Sequence, residues 1–181
     1  SRRRKQRRGS KSRRRRPLTE ILGIVRDVLE ALVAARENSQ SILHRDLKPS
    51  TILVTAIGAR LIDFGLARAL GTSRTQAGVL LGTPEYMAPE VLQGSPPRPA
   101  ADVYALGTIL FEMLAGQQPL PAPDIATIFR RRLEEAAPPV SGMHAHIPPS
   151  VDVLVGAMLE RDPARRPESG APLTTALRRA L

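Results

Sequence analysis

In this 181-residue chain, the residues whose types and spacing could do chemistry lie in two stretches. In HRDLKP, Asp46 follows a histidine and an arginine and stands two places before Lys48; in DFG, a second aspartate, Asp63, comes 17 residues later. Phosphoryl transfer needs such a pair: one carboxylate to orient an attacking hydroxyl and accept its proton, another to hold Mg²⁺ against the phosphates. Lys48 would place positive charge where the transferred group gathers negative charge. Between the two acids, ILV (52–54) and RLI (60–62) are short β-type runs around TAIGA, where Gly58 can supply a turn. The acids are therefore expected to flank a small hairpin.

Three further stretches follow: GTPEYMAPE at 82–90, DVYALG beginning at Asp102, and RDPARRP at 161–167. Taken in this order and with these gaps, the set resembles the C-terminal lobe of a eukaryotic-type serine/threonine protein kinase, in the Ala-, Arg- and Pro-rich style of the bacterial branch. The resemblance runs from about Pro17 to Leu181. It implies transfer of the ATP γ-phosphate to a protein hydroxyl, with ATP and Mg²⁺ as cofactors, Asp46 as the catalytic base, Asp63 as the metal ligand and Lys48 as the phosphate contact. Leu53 would lie under the adenine ring, although a lone leucine in a strand is more often core. Thr83 would line the floor that receives the protein substrate and bond near Asp46 and Lys48. Arg45 would gather a phosphate placed on the preceding loop, with Thr72, Ser73 and Thr75 as candidate acceptors. The remaining motif residues are expected to be structural. His44 and Phe64 would stack into a hydrophobic column, Asp102 would cap its helix and tie it to the backbone near Asp46, and Glu90 would pair with Arg166.

The sequence departs from the family pattern in two places. Thr51 stands where the family has an asparagine that binds a second Mg²⁺ and braces the catalytic loop; a hydroxyl can donate one hydrogen bond or make a weak metal contact, but cannot do both with the same reach. Upstream of Pro17 there is no glycine-rich loop, no lysine in a V-A-I-K-like strand and no hinge. The N-terminal, nucleotide-binding lobe is therefore expected to be absent, leaving exposed apolar surface for a protein partner to cover. Two functions are compatible with these departures: a truncated serine/threonine kinase with weakened or lost activity, or a non-catalytic kinase-like module, a pseudokinase scaffold that binds protein.

The elements that must position these residues are mostly helical. Apolar residues at three- and four-residue spacing predict a helix over 18–36, and a uniformly apolar helix over 101–115 should be central and buried, stopped by Gly116. Further helices are expected over 124–137, with Asp124 as N-cap, over 150–160 and over 173–181, and a long loop over 66–83. The expected fold is mainly α with one small β-hairpin: a kinase-like C-terminal lobe over 17–181 behind an arm over 1–16.

Composition sets the remaining bounds. An apolar share of 42% fills one core in a chain of this length. The absence of cysteine excludes disulfides and zinc–thiolate sites and fits a reducing, cytoplasmic setting. The longest apolar run, 103–114, is far short of the roughly 20 residues that span a bilayer. Residues 1–16 hold 11 of the 27 Lys and Arg, leaving 16 basic against 17 acidic side chains in the rest, so the folded part is nearly neutral. The arm is expected to be disordered. Its charge would attach it to nucleic acid or an anionic membrane, but no aromatic residue interleaves the arginines to stack on bases.

Overall fold

The computed structural model describes residues 16–37, 42–64, 82–143 and 146–180. The arm up to residue 15, most of the expected 66–83 loop with Thr72, Ser73 and Thr75, and Leu181 lie outside the described residues. Helix α1 spans Leu18–Glu37, and its helical spacing puts Ile21, Leu22, Val25, Val28, Leu29 and Leu32 on one buried face. Its first turn closes where the Ile21 N–H donates to the Pro17 carbonyl at 3.1 Å.

The hairpin pairs β1 (Ile52–Thr55) with β2 (Gly58–Leu61) in antiparallel register, Thr55 opposite Gly58. The turn is made by Ala56 and Ile57, so Gly58 opens β2 instead of forming the turn. The Thr55 hydroxyl pins that turn, donating to the Gly58 carbonyl at 2.7 Å and accepting from the Ile57 N–H at 3.3 Å. Gly58 has φ of 123°, and a Cβ there would lie 2.6 Å from Asp27 Oδ2. That same oxygen accepts the Ala59 N–H at 2.9 Å, so one carboxylate on α1 both holds the hairpin and requires glycine beside it.

Beyond a single helical turn, α2 (Pro89–Leu92), which the sequence reading did not anticipate, comes α3 (Pro99–Ala115). Helix α3 begins two residues earlier than expected because Pro99 fits the first helical position, where its missing N–H would have had no partner. It stops at Gly116, whose φ of 76° gives the left-handed C-terminal cap. Val103, Leu106, Ile109, Leu110 and Phe111 make α3 the centre of the core. It packs between α1 and α5 (Pro149–Met158), and α6 (Ala171–Ala180) closes the far side through Leu173 and Leu177. The contact with α5 is close enough that a Cβ on Gly107 would meet Met158 Cβ at 2.8 Å.

Helix α4 spans Ile125–Glu134 and ends three residues earlier than expected. Asp124 does cap its start, accepting the Thr127 N–H at 2.8 Å. At its end Arg161 donates to the carbonyls of Leu133 and Glu134 at 3.1 and 3.0 Å, and Pro138 lacks the N–H that a continuing helix would have aimed at Glu134. The result is a mainly helical body carrying one two-stranded antiparallel sheet. Among the described residues no helix is long and apolar enough to cross a membrane.

Candidate active site

The loop from residue 42 to 51 is anchored from beneath by α3. Asp102 accepts the backbone N–H of His44 at 3.1 Å on one carboxylate oxygen and that of Arg45 at 3.2 Å on the other. Two successive N–H groups converge in this way because Arg45 takes a left-handed backbone, φ 67°, which costs a non-glycine residue about 1–2 kcal/mol. Burial pushes the Asp102 carboxyl above its ordinary range, against the pull of those two N–H bonds. The expectation that Asp102 also caps its helix is corrected: the cap position is Arg98, and Asp102 lies inside the first turn because Pro99 starts the helix further upstream. Its side chain is thereby free to point away from α3 into the loop.

His44 is buried and joins the loop to the strand end beyond the hairpin. A carbonyl can only accept, so His44 Nε2 donates to Ile62 O at 3.2 Å, and Nδ1, also buried, has no partner among the described residues. Its ring meets that of Phe64 at 5.1 Å between centroids and 60° between planes, a tilted contact. Tilting sets the positive ring edge against a negative face. Asp63, between Ile62 and Phe64, has φ of 62°, and its exposed carboxylate makes no hydrogen bond or ion pair among the described residues.

Asp46, Lys48 and Thr83 form one cluster. Thr83 donates to Asp46 Oδ1 through its N–H at 3.1 Å and its hydroxyl at 3.0 Å. Lys48 Nζ lies 2.6 Å from Asp46 Oδ2 and 3.0 Å from Thr83 Oγ1. The carboxylate is therefore oriented at both oxygens, with the ammonium beside it. Gly82, next to Thr83, has φ of 120°, a backbone that favours glycine; a Cβ there would displace the flexible end of Met87, 2.5 Å away, and would lie at ordinary contact distance, 3.5 Å, from Asp46 Oδ1. Thr51 is buried and its hydroxyl is turned into the loop, donating to Lys48 O at 2.9 Å and accepting from Lys48 N at 3.2 Å. It braces the backbone around Lys48, and its donor is spent there.

The other sequence candidates fall around this centre. Leu53 is 53% exposed, so it is not core; Ile57 in the turn, and Ile62 and Phe64 beyond β2, are also exposed. Arg45 sits at the surface of the loop, and its three proposed phosphate-bearing partners lie outside the described residues. Glu90 and Arg166 form a two-pronged ion pair with both N–O distances at 2.7 Å. Arg166 is fully buried and also donates to the carbonyls of Ala100, Glu160 and Arg161.

Sequence reasoning missed three residues near the site. Tyr86 OH donates to Glu112 Oε2 at 2.7 Å, tying the segment after Thr83 to α3; burial and that bond push its pKa up to about 12. Asp27 holds the hairpin, and Arg132 holds the 85–87 backbone. Only Arg132 left a signal: it stands four residues after buried Ile128, on the inward face of α4.

The described residues thus form a mainly helical body carrying one hairpin, with Asp46, Lys48 and Thr83 oriented in one cluster. The sequence matches the protein kinase domain family over residues 6–177, and the chain belongs to that family. It is similar to bacterial serine/threonine-protein kinases: 37% identical over 155 residues to PkaB of Streptomyces coelicolor, covering 80% of this chain and 36% of that protein. To PknA of Mycobacterium tuberculosis it is 35% identical over 155 residues, covering 83% of this chain and 35% of the relative. To PknL of the same organism it is 36% identical over 152 residues, covering 83% and 38%. The chain thus spans little more than a third of the length of these relatives.

Proposed function

We propose that residues 17–181 are the C-terminal lobe of a serine/threonine protein kinase that transfers the γ-phosphate of ATP to a protein Ser or Thr hydroxyl in the cytoplasm. The observation that carries this reading is the double grip of Thr83 on Asp46 together with Lys48 at 2.6 Å. Asp46 orients the acceptor hydroxyl and takes its proton as the oxygen bonds to the γ-phosphorus; the bond from that phosphorus to the bridging oxygen breaks, and ADP leaves. Lys48 faces the charge that gathers on the transferred group. Mg²⁺, when bound with the nucleotide, neutralises phosphate charge. Asp63, whose carboxylate has no partner among the described residues, would supply one of the one or two protein carboxylates such an ion takes. Thr51, buried and with its hydroxyl oxygen already accepting from Lys48 N, would hold a second metal only weakly. Arg45 receives a phosphate carried by Thr72, Ser73 or Thr75.

The test is phosphate transfer from labelled ATP to a basic protein substrate by the intact protein. Asp46→Asn should lower the rate by about 10²-fold or more. An equal rate in wild type and variant removes Asp46 from the chemistry.

A second reading, a non-catalytic kinase-like scaffold, draws support from the exposed apolar side chains Leu53 and Ile57 on the hairpin and Ile62 and Phe64 beyond it. Binding of partners by the intact protein with no transfer and no ATP binding would favour it. Attachment of residues 1–16 to nucleic acid or an anionic membrane rests on their charge alone. Deleting them should abolish salt-dependent binding to DNA or anionic vesicles if that attachment exists.

A further inference from the structure

The segment that carries Thr83 is held from a second side, by α4. Arg130 and Arg131 pair with Glu135 near the surface, whereas Arg132 turns inward and is 1% exposed. Among the described residues its partners are two main-chain carbonyls and a phenol instead of a carboxylate. Nη2 donates to Glu85 O, and Nη1 donates to Tyr104 OH at 3.0 Å and to Met87 O at 3.4 Å. Its Nε is buried with no partner. The guanidinium also lies 5.4 Å from the centre of the Tyr104 ring, and Arg166 stands 4.8 Å from the same ring while gripping Glu90. Two arginines sharing one tyrosine thus fix the 85–90 segment near both ends.

Among the described residues this buried cation has no carboxylate to offset its desolvation, and without it two carbonyls and a phenol would lose their donor. What only the rigid guanidinium fork supplies is a fixed spacing between the Glu85 and Met87 carbonyls. Two residues before Glu85, Thr83 orients Asp46 and Lys48. We infer that Arg132 is a positioning residue: from α4 it sets the backbone of residues 83–87 so that this segment receives a protein substrate in register with Asp46. The inference rests on the kinase reading for the identity of the substrate, but the clamp itself does not.

The experiment compares wild type with Arg132→Met, which keeps the stem, and Arg132→Lys, which keeps charge without the fork, in the intact protein. In both variants amide exchange at Tyr86 and Met87, which donate to Thr83 O and Pro84 O, should quicken by about ten-fold or more while the α3 core keeps its protection. The thermal midpoint of Arg132→Met should fall, because two carbonyls and the Tyr104 hydroxyl lose this donor, while the fold is retained. In phosphate transfer, KM for the protein substrate should rise by about ten-fold with KM for ATP unchanged, and lysine should restore little of it. Unchanged exchange at Tyr86 and Met87 overturns the clamp, and loss of α3 protection in both variants reduces Arg132 to a structural residue. Altered exchange with an unchanged protein-substrate KM overturns the positioning role. A wild type that transfers no phosphate sinks the kinase reading, while the exchange measurement still decides the clamp.

Discussion

The Thr51 hydroxyl and the Lys48 backbone are closed into a ring, with Thr51 Oγ1 donating to Lys48 O at 2.9 Å and accepting from Lys48 N at 3.2 Å. Thr51 thus braces the loop; on the proposed reading, an asparagine at this position would also reach a second Mg²⁺. Thr51→Asn should therefore raise phosphate-transfer turnover, by up to about 10²-fold, and increase its dependence on Mg²⁺ concentration. An unchanged turnover in a magnesium titration would refute this account of Thr51.

Asp102 accepts two successive N–H groups of the loop, that of buried His44 and that of Arg45, one on each carboxylate oxygen. In Asp102→Asn one of those positions becomes an NH₂ facing an N–H, leaving a buried donor unpaired. The variant should lose about 1–3 kcal/mol of stability in urea titration. It should also lose transfer activity out of proportion, because Arg45 no longer has its reason to hold a left-handed backbone next to Asp46. Faster exchange of the His44 and Arg45 amides would locate the damage.

The Tyr86–Glu112 bond gives the protein an alkaline signature. The native phenol holds its proton up to about 12, because of burial and then the bond to Glu112, while an unfolded tyrosine releases it near the ordinary value of about 10. The native state thus binds more protons between these values. This contribution to stability is complete below about pH 10 and is lost as pH rises towards about 12. Urea midpoints measured from pH 9 upward should fall across that window, and in Glu112→Gln they should fall less steeply.

Gly58 is needed for two reasons, its positive φ and the 2.6 Å approach of Asp27 Oδ2. Gly58→Ala should cost about 1–3 kcal/mol by thermal unfolding. The damage should be local to the hairpin, read as loss of protection at Ala59, whose N–H is the one Asp27 holds.

The motif residues were legible in the sequence because their chemistry is local: Asp46 and Lys48 are two residues apart, and HRDLKP, DFG and GTPEYMAPE are each continuous. The helices were legible for a similar reason, since periodicity at Ile21, Val25, Val28 and Leu32 records a face whatever lies against it. The end of α4 moved under a partner distant in sequence, Arg161, whereas α3 starts early for the local reason that Pro99 fits the first helical position.

What the sequence alone determined is the family, the mainly helical layout with one hairpin, and which side chains could carry phosphoryl transfer. Tertiary structure alone decided where those side chains are spent: Thr51 on its own loop, Asp102 on two amides of that loop instead of a helix cap, Tyr86 on Glu112 and Arg132 on a distant backbone segment. A hydrogen bond across 26 or 58 residues exists only after packing has brought its two ends together, and no spacing along the chain records which ends will meet.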